Sequence, residues 1–276
     1  MTHDLACWPR PVLIPLSLRK HPAGIVALVM TWACLVAGCS TTPPANPAAR
    51  QALAPTGTLR IGVYFGSPLS MVRDATSGEP VGIALGLGQQ LALRLGLPAQ
   101  VVEFERQAQV MEAMQNGNVD FTVTSSNLPP PLLKLALGTL VSKESSVTQL
   151  SDLDRGDLRV GVSQGSSSQA ALAPVLQNAT PLPVATLRQA QVLLRRGIIN
   201  AFVADKATLF EMLDALPGFR MLDGRWGEEH LVIATPQGRE AGLAYLKQFV
   251  QNAQQPGGLL QSLASRVDLR GTLPLP

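Results

Sequence analysis

Leu59-Arg60-Ile61-Gly62-Val63 returns as Leu158-Arg159-Val160-Gly161-Val162, 99 positions further on. Each copy is a short β-branched run that reads as a buried strand, and each is followed by small residues. These are Gly66-Ser67-Pro68 in the first copy and Gly165-Ser166-Ser167-Ser168 in the second. A helix is expected from about Gly86 to Leu95, with Leu87, Leu91 and Leu95 on one stripe. A second correspondence follows. Val110 to Gly117 reads as a helix stopped by glycine before a strand at Val119–Val123, and Val192 to Gly197 precedes a strand at Asn200–Ala204. Strand and helix alternating in two similar halves predict two α/β lobes with mainly parallel sheets. Two lobes imply a cleft, and ligands of open α/β sheets bind outside the carboxyl ends of the strands. Two ordinary helix–sheet units without a site remain the plain alternative.

The chain before these repeats has a different character. Arg19 and Lys20 precede an apolar run from Ala23 to Gly38, the length of a secretion signal and short for a membrane span. It ends Leu35-Val36-Ala37-Gly38-Cys39-Ser40, which resembles the lipobox of bacterial lipoproteins. That resemblance implies cleavage before Cys39 and a lipid on its sulfur, with Ser40 implying outer-membrane retention; an uncleaved anchor helix is the alternative. Residues 40–56, rich in Pro, Ala, Ser and Thr, read as a flexible tether.

Charge excludes one class of partner. The net charge is +3, and Arg10, Arg19 and Lys20 against Asp4 account for +2 of it ahead of Cys39. The remainder holds no basic cluster, so nucleic acid is not an expected partner. Cys39 is the only cysteine outside the signal, since Cys7 and Cys34 fall within it. No intrachain disulfide and no cysteine metal site follow. His230 is the only histidine beyond the signal, which argues against a His-rich metal site and a Ser-His-Asp triad. Neither a metal nor a cofactor is expected.

From Gly57 to about Ser265 the chain resembles the extracellular solute-binding proteins of family 3, receptors of polar amino-acid ABC transporters. The stretches that carry the resemblance include Gly57–Val63, Glu79-Pro80-Val81-Gly82, Leu91–Gly96, Met114–Asp120, Leu150–Leu153, Gly161–Ser167 and Phe202–Asp205. It implies a type II periplasmic-binding fold, an α/β architecture of two lobes joined by two hinge strands. Lobe 1 is then residues 57–141 and 228–276, and lobe 2 residues 142–227, with crossings near Leu140-Val141-Ser142 and Glu229-His230-Leu231. The resemblance further implies a monomeric periplasmic receptor without enzymatic activity that hands a small polar solute to an ABC permease. A solute-sensing lipoprotein and a dehydratase-like enzyme with Asp205 or Glu229 as base are the alternatives.

The expected cleft residues come from the same comparison. Ser125, Ser126 and Asn127 end a first-lobe strand. Ser166 and Ser167 open a helix, where amides and hydroxyls hold anions; a plain N-cap is the alternative for Ser166. Asp205 matches the family's acid for a ligand ammonium, with a surface or capping carboxylate as the alternative. Tyr64 or Phe65 supplies apolar surface. Trp226, Glu229 and His230 fall near the second crossing, at the cleft mouth. The departures are equally informative. The arginine that clamps a ligand carboxylate in the family is missing, for no Arg lies between Asp120 and Arg155. Ser67 and Ser70 stand near where ligand-stacking rings are expected. The reading therefore expects a ligand without a free carboxylate, or weak binding of amino acids, with Arg73 and Lys206 as the cations to examine for a substitute.

Overall fold

The computed structural model describes residues 47–126, 131–179 and 181–275. Cys39 with its signal, and Asn127, lie outside them.

The first part of the chain runs α1 (Pro47–Leu53), β1 (Leu59–Tyr64), a small ladder of β2 (Val72–Arg73) with β3 (Pro80–Val81), α2 (Ile83–Leu95), β4 (Ala99–Phe104), α3 (Gln107–Gln115) and β5 (Thr122–Ser125). There follow β6 (Leu133–Ser142), β7 (Val160–Ser163), α4 (Ser167–Leu172), β8 (Pro181–Val184), α5 (Leu187–Arg195), β9 (Ala201–Asp205) and α6 (Lys206–Asp214). The chain closes with β10 (Phe219–Met221), β11 (Gly227–Ala234), α7 (Glu240–Ala253), α8 (Leu259–Arg266) and β12 (Thr272–Leu273).

β1 is buried along most of its length because it lies between β4, its parallel partner, and the start of β5. The second contact is the pair Ile61 and Phe121, with Gly62 N donating to Phe121 O at 2.9 Å. α2 covers this layer with Ile83, Leu87, Leu91 and Leu95, all buried at four-residue spacing. It stops at Gly96, whose φ of 64° is the left-handed value that glycine adopts without strain. The second half repeats the plan, with β7 parallel to both β8 and β9. The repeat noticed in the sequence also has a packing reason. A Cβ on Gly62 would lie 2.8 Å from a Val119 methyl, and one on Gly161 would lie 2.6 Å from Ile199. In each half the strand-leading apolar residue fills the space the glycine leaves open.

Two strands join the halves. β6 pairs with β11 through residues 133–137 and with β9 through residues 137–141, so its partner changes at Leu137. β11 pairs with β6 up to Leu231 and with β5 from Leu231 onward. The hydrophobic side chains divide accordingly. One core draws mainly on residues 53–135 and 231–260, and two others on residues 140–222. A buried carboxylate fastens the first core: Asp120 accepts from Arg60 Nε at 2.8 Å and from Arg239 Nη2 at 3.2 Å. The Arg60 guanidinium is held even more firmly protonated by that bond.

The stretch read as a tether is ordered at its end. α1 lies within it, burying Ala49 and Leu53 and packing on α7. The physical reason is a knob and a hole, since a Cβ on Gly242 would meet Leu53 at 2.5 Å. Arg239 Nη1 adds a hydrogen bond to Ala52 O at 2.6 Å.

Candidate functional site

The carboxyl ends of β1, β4, β5, β7, β8 and β9 converge on one cavity between the two sets of strands, with β11 along its side. Four helices also begin there. Their N-cap residues Arg106, Ser166, Thr186 and Asp205 all line it. Three of the four are oxygen-bearing caps of the favoured kind. Ser166 Oγ accepts from Gln169 N at 3.2 Å, Thr186 Oγ1 from Gln189 N at 3.1 Å, and Asp205 from Thr208 N at 2.8 Å. Ser166 and Asp205 are thus caps and cavity-lining groups at once, so the two roles weighed for each in the sequence coexist.

The enclosed space is about 50 Å³. A water in the liquid occupies ~30 Å³ and ligand pockets run from ~300 Å³, so the space as it stands is smaller than a usual ligand pocket. Beyond Phe65 and Leu187 the cavity opens on a wider hollow of about 540 Å³, which Phe65, Glu105, Thr186 and Leu187 share.

Direct contacts cross the cavity. Ser67 Oγ and Thr208 Oγ1 lie 2.9 Å apart, both buried, one from the loop after β1 and the other on α6. The serine at the expected ring position therefore serves as a contact across the cleft. Glu229 on β11 accepts from Ser167 Oγ at 2.5 Å and also from Ser125 Oγ.

Three carboxylates, Glu105, Asp205 and Glu229, line this cavity, and none forms an ion pair among the described residues. Burial raises Asp205 above the usual carboxylate range. Glu229 is pushed up to about 7, first by burial and then by the charge of Asp205, against the pull of Ser167. Tyr64 is driven upward as well, by burial and then by Asp205. The site disfavours further negative charge at this end.

Of the residues expected from sequence, Tyr64, Phe65, Ser125, Ser166 and Asp205 line the cavity. Ser167 reaches it through Glu229, whereas Ser126 does not line it, and its backbone N–H donates to His230 O at 2.9 Å. Of the three residues near the second crossing, Glu229 lines the cavity, Trp226 Nε1 donates to Gly138 O at 3.1 Å, and His230 sits 3.2 Å from Glu228. The two substitute cations do not line it. Arg73 lies over the Phe65 ring at 5.9 Å and donates to Gly78 O, and the stem of Lys206 packs on Gly138 and Gly271. Arg106, Thr186 and Thr208 line it and were not anticipated. The available signal for Arg106 was its residue type, an arginine directly before a helix.

No protein-family model matches the sequence, and no curated protein matches it. Solved structures do. A solute receptor for L-cysteine from Neisseria gonorrhoeae is 22% identical with a TM-score of 0.69, over 81% of this chain and 94% of that one. A putative binding component of an ABC transporter from Wolinella succinogenes, complexed with lysine, is 20% identical with a TM-score of 0.65, over 76% and 95%. An ancestral amino acid-binding protein, described as a precursor of cyclohexadienyl dehydratase, is 21% identical with a TM-score of 0.64, over 77% and 96%. The fold is the type II periplasmic-binding fold. β6 and β11 are the strands whose pairing passes from one set of strands to the other, and Glu229 of β11 lines the cavity. Most of the similar structures are binding proteins.

Proposed function

We propose that this chain is a periplasmic solute-binding lipoprotein that closes two lobes on a small polar solute bearing a cationic group and presents it to an ABC permease. The observation that carries this reading is the pair Asp205 and Glu229, two unpaired carboxylates on the wall of an interlobe cavity. A buried carboxylate is stable in its charged form when a cation meets it, and an incoming ammonium or guanidinium supplies one. The similar structures that bind lysine and arginine agree with such a ligand. Lobe 1 spans residues 57–141 and 228–276 and lobe 2 residues 142–227, with Tyr64, Phe65, Ser125, Ser166, Ser167 and Asp205 at the binding face and Glu229 added to them. Hinge closure about the connecting strands turns occupancy into a shape that a membrane partner reads. The chain acts as a monomer and without catalysis. Cys39 carries the lipid that keeps it at the membrane, the outer one on the strength of Ser40.

A thermal-shift and calorimetric screen against amino acids, amines, polyamines and organic acids tests the reading. Saturable binding of a cationic solute, abolished by Asp205→Asn, is the expected result; binding of organic acids alone overturns it. Mass spectrometry of the native protein should find diacylglycerol on Cys39. A catalytic reading has one observation in its favour, a Glu229 carboxyl near 7 beside a second acid. Product formation from the bound solute would decide for it.

A further inference from the structure

After α8 the chain leaves the first core and runs onto α6. Val267 and Leu269 still pack against the first core. Arg270, the next residue, reaches α6: its Nη2 lies 2.6 Å from Asp214 Oδ2, and its guanidinium lies 4.6 Å from the centre of the Phe210 ring. Gly271 passes the start of the same helix so closely that a Cβ there would lie 2.5 Å from the Lys206 side chain. Lys206, Phe210 and Asp214 stand four apart, so they form one stripe along α6, and the chain end is laid on that stripe. α6 belongs chiefly to the other side of the molecule. Ala207 in its first turn touches the first core, but Leu209 and Met212 are buried in a core of residues 140–216.

Backbone geometry holds the segment on this path. Asp268 is the only non-glycine residue with a positive φ among the described residues, at 46°, and Gly271 follows at 81°. Aspartate tolerates that region and glycine enters it without strain. Asp268 Oδ2 also lies 3.3 Å from Arg270 Nε. Beyond these bends the chain is tied to β6. Gly271 O accepts from Ala136 N at 2.9 Å, and Thr272 and Leu273 pair with Leu135 and Lys134. Those residues come just before Leu137, where β6 changes partner. We propose that residues 268–273 are a strap, a third link between the two sides of the molecule that limits how far α6 and its core swing from the first core. β6 and β11 are covalent links that can only bend, whereas this one can let go. An ion pair with one partner as exposed as Asp214 and a single cation–π contact are each weak, so the strap restrains the swing without locking it. The inference stands on the fold and holds whichever solute the cavity takes.

Hydrogen exchange read by mass spectrometry on the full chain, with no solute added, tests it. Arg270→Gln keeps a long polar side chain and removes both contacts to α6. Exchange should quicken about three- to tenfold at residues 66–70 and 163–169, which line or cross the cavity, and not only at residues 134–136 and 206–214, which the strap touches. A change confined to the touched segments marks an ordinary packed chain end and overturns the proposal, as does no change at all. Salt supplies a second arm that needs no weakened variant to stay folded. Screening of the exposed pair should quicken the same cavity segments in the wild type, and less so in Arg270→Gln. A wild type whose cavity segments ignore salt, or equal responses in the two proteins, also overturns the strap.

Discussion

Glu229 accepts a hydrogen bond from Ser167 Oγ at 2.5 Å, which ties the connecting strand β11 to the first turn of α4. With Ser125 on the same carboxylate, one side chain bridges the end of β5 and the start of α4. It does so at an electrostatic cost, because Asp205 faces the same cavity.

That cost has a pH signature. The Glu229 carboxyl moves from 4.5 to about 7 on folding. Between those values the folded protein keeps a proton that the unfolded chain has released. Stability is therefore fully present below about 4.5, falls as pH rises and levels off above about 7. At ~1.4 kcal/mol per unit, the loss is at most about 3 kcal/mol. Glu229→Gln keeps an oxygen acceptor for the serines and cannot ionise. Denaturant unfolding should show a flatter profile over this window and a more stable variant at pH 8, with little difference at pH 4.

Asp205 separates capping from charge. Asparagine caps as well as aspartate, whereas alanine does not. Asp205→Ala should lose about 1 kcal/mol for the lost Thr208 amide bond, and Asp205→Asn should not lose it. Since the charge of Asp205 is one cause of the Glu229 shift, Asp205→Asn should also move the Glu229 midpoint down from about 7. An NMR titration of Glu229 in both proteins measures that movement.

Ser67 and Thr208 meet on the other side of the cavity, where the proposed closure would depend on them. Ser67→Ala leaves the buried Thr208 hydroxyl without this partner and should weaken closure by roughly 1–3 kcal/mol, while Ser67→Ala with Thr208→Val removes both groups and should cost less. Small-angle scattering should then record a larger radius of gyration for the single variant in the unliganded protein. A double-mutant cycle showing no coupling would refute the contact as a latch.

The paired glycines make a packing prediction. Gly62→Ala drives a methyl to 2.8 Å and 2.9 Å from the side chains of Val119 and Val110, which have little rotamer freedom. It should destabilise by about 1–3 kcal/mol. Gly156→Ala is the control, since its nearest neighbour is Asn178 O at 4.0 Å, and it should change stability by less than ~1 kcal/mol. Chemical denaturation distinguishes the two.

Much of the scaffold was legible because a repeat of strand, small-residue loop and helix leaves a periodic trace. Gly62 and Gly161 mark the same point in each half, and Leu87, Leu91 and Leu95 announce their buried face. Ser166 and Asp205 could be found for a similar reason, because caps sit at the strand-to-helix loops where a cleft forms. Glu229 and Arg106 were harder. Glu229 lies within a strand, and only the pairing of β11 with both β5 and β6 brings it to the cavity. Arg106 was not singled out, although an arginine where its counterpart is Thr186 breaks the local rule for helix starts. Residues 47–53 went astray through composition. Prolines and alanines suggested a tether, while Ala49 and Leu53, four apart among good helix formers, form a helical face.

That last helix has a consequence for where the protein can work. With α1 docked on α7, the helix that joins the body begins at Pro47, eight positions after Cys39. Eight residues fully extended reach at most about 28 Å. If Cys39 carries the proposed lipid, the body stays within about 28 Å of the anchoring membrane. On that reading an anchor in the outer membrane, as Ser40 implies, would keep the body from an ABC permease in the inner one, so the membrane chosen at Cys39 decides which partner is in reach.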